Sequence, residues 1–346
     1  MRKRKKAVIL IGLFICFIMA YIWSSSAFII MALCFALAAF LFMLLMLANK
    51  YVKTTAAYKS IIPDMSLYPT NDWYREHLER NFDVVNIGSS SAKYAFNYDG
   101  LPIKAFNWGE QPQSLGNGFK ILKTYFSILK RSGTVIISLG PLSGLDVEGK
   151  WRKDANDKYY YTLPSELIDD YISVSRRRKY PLIFSPRSSL KNIIKKILGK
   201  EIDINKISVN TYFVDDSNTW INNWMTEFGI NSLDAPLSSL NIRGKEKRTT
   251  LLTGILSFCR ERNLQIAIVI PPMHKSLSGK FTPTFRENYI YSFIRKANKY
   301  NVPFLNYMDD ERFNDDKYFR NSFFLSEEGA KTFTKVVLKD LKILCE

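Results

Sequence analysis

The chain has 346 residues, 47% of them hydrophobic, and 49 Lys and Arg against 32 Asp and Glu for a formal charge of +17. That length holds one sizeable core plus an appendage, and the absence of internal repeats and low-complexity tracts excludes a solenoid. Of the four cysteines, Cys16 and Cys34 lie in apolar segments and Cys259 and Cys345 lack metal-like spacing, which excludes a disulfide framework or a zinc site.

From Ala7 to Ala48 no charged residue occurs. A helix of that length would run roughly 60 Å at about 1.5 Å per residue, twice a hydrocarbon core of about 30 Å. The pattern therefore predicts two transmembrane helices within residues 1–50, roughly Ala7–Trp23 and Ala27–Ala48, hinged at Ser24, Ser25 and Ser26. A cleavable signal peptide ending near Ala27 fits the same flanks and would leave the second segment as an anchor. Arg2, Lys3, Arg4, Lys5 and Lys6 precede the first segment, and Lys50, Lys53 and Lys59 follow the second, while the hinge has none. The positive-inside rule then puts both ends, and the soluble domain, in the cytoplasm. A multi-pass protein of the cell membrane is expected, with the lipid bilayer as its first partner. The remaining positive charge fits an anionic lipid surface or an acidic polymer. Nucleic acid is not an expected partner, because no recognised binding motif accompanies the charge.

Residues 51–80 read as a juxtamembrane linker with a short helix, Asn71–Arg80, capped by Asn71 or Asp72. Val84–Ile87 is a short apolar run ended by Gly88, as a buried strand requires. A helix over Leu115–Lys130 leads to a second buried strand, Thr134–Leu139, closed by Gly140 and Pro141. The alternation returns with the helix Lys247–Arg262 and the strand Gln265–Ile270, then the helix Phe285–Tyr300 and the strand Val302–Leu305, and a final helix Ser326–Leu344. Strands alternating with helices predict an α/β domain over residues 81–346, a mostly parallel sheet covered on both faces. Between about 145 and 241 the alternation fails in a stretch rich in aromatic and basic residues. It includes Trp151, Tyr159, Tyr160, Tyr161, Trp220 and Trp224, and the cluster Arg176, Arg177, Arg178, Lys179. This reads as a large insertion whose aromatics either pack onto the core or form a wall for sugar rings and acidic groups.

Three separated blocks carry a resemblance. DVVNIGSSSAKYAF, residues 83–96, places Ser90 in the loop after the first strand, where open parallel sheets bind ligands. Phe106, Asn107, Trp108 and Gly109 form a second block, and YFRNSFFLSEEGAKTFT, residues 318–334, a last one. In order and composition these resemble the SGNH (GDSL-like) hydrolases. The run from Ile266 to Lys275, ending in PPMHK, is similar to the membrane-tethered branch associated with acylation of cell-envelope polysaccharides and teichoic acids. The resemblance covers residues 83 to about 140 and 264 to 340. It implies a three-layer α/β/α domain, Ser90 as the nucleophile, and the Gly109 N–H in the oxyanion hole. It also implies a soluble domain outside the cytoplasmic membrane, against the charge rule, with no cofactor or metal. The partners it implies are an acidic glycan or teichoic-type polymer and a membrane-bound O-acyltransferase.

The departures bear on chemistry. The last block of that family reads D-x-x-H-L-[NS]-x-x-G-A-x-x-F, and here Asn321 takes the aspartate position and Phe324 the histidine position. Leu142 stands where the oxyanion-binding asparagine would be, and Ser143 where an aspartate would be. Phenylalanine cannot accept a proton, and loss of a base in such a triad costs on the order of a millionfold in kcat. Two histidines remain. His77 precedes the first strand and reads as structural. His274 emerges at the same sheet edge as Ser90, as a replacement base or a substrate-binding residue. The leading expectation is a catalytically impaired, membrane-anchored binding or assembly component in cell-envelope polysaccharide modification. The alternative is an active O-acyltransferase or esterase using Ser90 with a displaced base: His274, Asp309 or Asp310.

Overall fold

A computed structural model of the chain describes residues 11–12, 14–19, 25–63, 81–146, 153–201 and 209–344. In chain order its main elements are α1 (Ser25–Val52), β1 (Phe82–Gly88), α2 (Ser90–Ala95), β2 (Ala105–Gly109), α3 (Leu115–Tyr125), β3 (Leu129–Ser138), α4 (Tyr171–Lys179), α5 (Pro186–Ile197), α6 (Phe213–Phe228), α7 (Ser239–Arg260), β4 (Gln265–Ile270), α8 (Ser292–Ala297), β5 (Phe304–Asn306) and α9 (Glu327–Asp340). The chain divides into two compact units, Met1–Lys59 with Arg176–Asp203, and Ser60–Ser175 with Ile204–Glu346. The stretch read as one insertion is therefore shared between them. Its basic middle belongs with the N-terminal helix, and its tryptophan-bearing part belongs with the sheet.

The second unit is an α/β domain on a five-stranded sheet in the order β2-β1-β3-β4-β5, with every pair parallel. Strands buried on both faces read as near-continuous apolar runs, and the period of two sends alternate residues to opposite sides. Val85, Ile87, Val135, Ile137, Ile268 and Ile270 join one core cluster with Ile121 and Leu122 of α3, Leu252 and Ile255 of α7 and Phe293 of α8. Val84, Ile136, Ala267 and Val269 join another with Ala95 of α2 and Phe333 and Val337 of α9. The helices start where side-chain oxygens meet free N–H groups: Ser114 accepts from Asn117, Ser238 from Asn241 and Ser326 from Gly329. α9 ends before the expected Leu344, since Lys342 turns left-handed at φ 57°.

The edge strand β2 is not among the strands that the sequence predicts. Its five residues carry Asn107 at the centre, which breaks the apolar run, yet they pair with β1 from Ala105 to Gly109. The consequence is positional: the chain leaves β1 for one edge and returns to β3 on its other side. A crevice thus opens at the carboxyl ends of β1 and β3, where such sheets bind ligands.

In the first unit, α1 contains Ile29–Val52, 24 residues long and apolar enough to cross a membrane. At about 1.5 Å per residue that is roughly 36 Å, enough for a bilayer core of about 30 Å with some tilt. It is the one such helix among the described residues. Of the other expected span, residues 11–12 and 14–19 are helical and the rest lies outside the described residues, as do the expected helix Asn71–Arg80 and His77.

Candidate functional site

The crevice is built first by glycine. At Gly88, the end of β1, a Cβ would lie 2.6 Å from the Ser138 carbonyl oxygen and 2.6 Å from the Ala92 Cβ, so only glycine lets β1 pass directly into α2. Ser90 is the first residue of α2 and half-buried at that turn. Beside it, Ser89 Oγ accepts the Gln113 N–H at 3.2 Å, while Gln113 Nε2 donates to the carbonyls of Gly88 and Trp108 at 2.9 and 2.8 Å. The turn at Ser89 and Ser90 is thus tied to the loop after β2.

Asn107 explains why the second block has its composition. Its Nδ2 donates to the Phe96 carbonyl at 2.8 Å and to that of Lys93 at 3.2 Å, tying α2 to β2. Its Oδ1 accepts the Gly109 N–H at 2.9 Å and Asn86 Nδ2 at 2.7 Å. The N–H expected in an oxyanion hole is therefore already bound to a neighbouring side chain. Gly109 serves close approach, since a Cβ there would sit 2.6 Å from the Lys93 nitrogen. Leu142 is buried in the core and offers no polar group in place of the missing asparagine, while Ser143 Oγ accepts the Gly140 N–H at 2.7 Å.

The last block forms a closed aromatic cluster. Asn321 is buried, and its Oδ1 accepts the N–H groups of Phe323 and Phe324 at 3.0 and 2.7 Å, shaping the turn. Phe324 is 3% exposed and meets Tyr94 at 4.8 Å, Phe323 at 4.9 Å and the edge of Trp220 at 5.4 Å between ring centroids. Trp224 packs edge-on against Phe323 at 4.9 Å. Asp216 of α6 accepts the Ser322 N–H at 2.9 Å and fastens this helix to the turn. Tyr94 lies one helical turn beyond Ser90, so the position expected to carry a base holds hydrocarbon. The tryptophans of α6 pack onto this core.

The displaced-base candidates are occupied. His274 is buried, with its ring stacked on Phe213 at 4.0 Å. Its Nδ1 lies 2.8 Å from Ser276 Oγ and 3.2 Å from the Ser276 nitrogen, and its Nε2 lies 3.0 Å from Asp316 Oδ1. Both ring nitrogens are engaged, and among the described residues no hydrogen bond joins His274 to Ser90. Asp309 faces Arg286, with Nη2 to Oδ1 at 3.1 Å. Burial pushes its carboxyl up, but hydrogen bonds from Arg286 and Ser278 and the guanidinium charge hold it below the usual range. Asp310 is likewise held low, foremost by its hydrogen bond from Arg312, with Nη2 to Oδ2 at 2.6 Å.

One titratable group escaped the sequence reading. Lys93 Nζ pairs with the buried Glu110 at 3.0 Å, and Glu110 N–H donates to the Gly88 carbonyl at 3.3 Å. Close to this pair Lys158 is buried and donates to the Pro112 carbonyl at 2.5 Å. Burial lowers its pKa to about 8; the Glu110 charge opposes the fall and Lys93 adds to it. The spacing of Lys93, one turn after Ser90, was the available signal, whereas Lys158 arrives from the far insertion. Below pH 8 the ammonium is charged in both folded and unfolded states and its desolvation burdens the fold. Between pH 8 and about 10.5 only the unfolded chain keeps the proton, so this burden is relieved and stability rises with pH. Denaturation midpoints of the wild type minus those of Lys158→Met should climb across that window; a flat difference would refute the assignment.

Among the described residues no group of three or more His, Cys, Asp or Glu side chains is placed to hold a metal ion. Comparisons with protein-family models and with curated proteins return no match.

Proposed function

We propose that the sheet domain is a three-layer α/β/α SGNH-like fold that no longer performs acyl chemistry, and serves as a binding or assembly component in cell-envelope polysaccharide modification. The single observation that supports this reading is Phe324, buried among Tyr94, Phe323 and Trp220 where the resembling family carries its base. The committed Gly109 N–H and the two engaged nitrogens of His274 point the same way. An oxyanion donor and a proton acceptor are the two things acyl transfer requires of such a site. In this reading an acidic glycan or teichoic-type polymer and a membrane-bound O-acyltransferase are the partners. A fluorophosphonate probe should fail to label Ser90, and p-nitrophenyl acetate should be hydrolysed at the same rate by the wild type and Ser90→Ala. Labelling lost in Ser90→Ala would establish the alternative, an active esterase or acyltransferase with a displaced base.

The membrane arrangement we propose is a two-helix hairpin with the sheet domain on the cytoplasmic side. The support is charge: basic clusters stand at Arg2–Lys6 and at Lys50, Lys53 and Lys59, and only an even number of crossings keeps both inside. Green fluorescent protein fused after Glu346 should be bright and alkaline phosphatase inactive. The reverse result would mean an odd number of crossings, and would put the domain on the face where envelope polymers are acylated.

A further inference from the structure

In the N-terminal unit α5 is amphipathic, and among the described residues its apolar side stays largely exposed. On α5 the side chains of Leu190, Ile194 and Ile197, with Leu198 just beyond, recur at intervals of four, three and one, which places them on one stripe at about 100° per residue. They are 51%, 54%, 68% and 59% exposed, although the same helix buries the small Ser189 through a hydrogen bond to the Pro181 carbonyl at 3.0 Å. Lys191 and Lys195 follow along one flank of the stripe on the same wheel, and Arg187 stands at its amino end. Residues 176–203 hold nine Lys and Arg against Glu201 and Asp203 alone, and residues 25–59 hold no acid at all. Such a helix, apolar on one side and edged with long basic side chains, matches the type that lies in a membrane interface.

What covers the stripe is decided by where α5 is tied. Lys196 Nζ donates to the Thr54 carbonyl and Oγ1, both at 2.7 Å, and sits 5.4 Å from the centre of the Tyr51 ring. The Leu182 N–H, in the turn leading into α5, donates to Asn49 Oδ1 at 2.9 Å. Arg178 lies 3.7 Å over the Tyr58 ring, and Tyr58 Oη donates to its carbonyl at 2.8 Å. All these anchors fall within ten residues at the carboxyl end of the membrane-crossing helix. A span that ends in Tyr51 and Lys50 puts that level among the lipid headgroups. The bilayer that α1 crosses is therefore already beside α5.

We propose that α5 lies in the interface of that bilayer, its Leu190–Leu198 stripe inserted among the acyl chains and Arg187, Lys191 and Lys195 bound to anionic phospholipid phosphates. The helix orients the unit on the membrane independently of any chemistry at Ser90. The full chain, with its native cysteines replaced by alanine, would carry a nitroxide at Ile194→Cys or, about 120° round α5 and just past Lys195, at the exposed Ser188→Cys, in nanodiscs of phosphatidylcholine with phosphatidylglycerol. Collisions with oxygen should exceed those with a water-soluble nickel chelate at Ile194, and the reverse should hold at Ser188. Equal nickel access at the two sites would overturn the proposal. So would spin–spin broadening at Ile194 that vanishes on dilution with unlabelled protein, since a second copy would then cover the stripe. Hydrogen exchange of the unaltered chain supplies a readout that needs no cysteine replacement. In anionic nanodiscs, Lys191→Gln with Lys195→Gln should lower the protection of residues 186–197 by roughly thirtyfold, as loss of two basic residues at such a surface requires. Unchanged protection would overturn the role given to anionic lipid.

Discussion

Phe324→Ala is expected to cost about 3–5 kcal/mol of stability, the range for removing a fully packed phenylalanine ring. The ring is 3% exposed and touches Tyr94 of α2, Phe323 and Trp220 of α6, so its loss leaves a cavity shared by three elements. Collapse into that cavity is restricted. The turn is pinned by Asn321 Oδ1 on two N–H groups and by Asp216 on Ser322. Thermal melts in detergent would show a midpoint lowered by many degrees. Trp220 fluorescence should shift red as water reaches the site. Phe324→Leu, which refills much of the volume, should lose far less. A drop below about 1 kcal/mol for the alanine variant would mean that this ring does not hold α6 to the turn.

Gly329→Ala should be nearly as damaging, for a reason that involves no lost contact. A Cβ on Gly329 would stand 2.1 Å from the Tyr318 carbonyl oxygen and 2.9 Å from its carbon. Both obstacles are backbone, and that carbonyl is held in place by the Ser326 N–H at 2.8 Å. Relief requires the first turn of α9 to move away from the segment closed by the antiparallel bridge between Phe319 and Leu325. Overpacking of this kind costs about 3 kcal/mol. Gly254→Ala makes the contrast. It lies within α7, and the nearest atom a new Cβ would meet, Phe119 Cε1, is 3.9 Å away, so the methyl group is accommodated and the unfolded chain loses freedom. A gain of roughly 0.5–1 kcal/mol is expected. Midpoints moving in opposite directions for two Gly→Ala changes would separate close approach from helix propensity; a small effect at Gly329 would show that α9 has slack at its start.

The strands β1, β3 and β4 were legible because parallel strands buried on both faces read as near-continuous apolar runs, as Val84–Ile87 does apart from Asn86 and as Ile266–Ile270 does after Gln265. The end of β1 was legible too, since a glycine closing an apolar run marks where such a strand turns, and β1 ends at Gly88. The strand β2 was not legible, because Asn107 interrupts its pattern for a purpose that exists only in three dimensions, the pinning of α2. The commitment of the Gly109 N–H follows from the same side chain and was hidden for the same reason.

By itself the sequence determined what depends on composition and short-range period: an apolar segment able to cross a membrane and an alternating α/β domain. Only the tertiary structure decided what depends on residues distant in the chain. Trp220 and Asp216, a hundred residues before the last block, close over Phe324 and Ser322. Lys158 comes to the Glu110 and Lys93 pair from an insertion without periodicity. The basic segment that read as a wall over the sheet belongs to α1 instead, through Asn49, Thr54 and Tyr58. Burial and hydrogen-bond partnership are properties of neighbours in space, and a side chain's chemistry at these positions is set by whichever neighbour arrives, which local pattern does not encode.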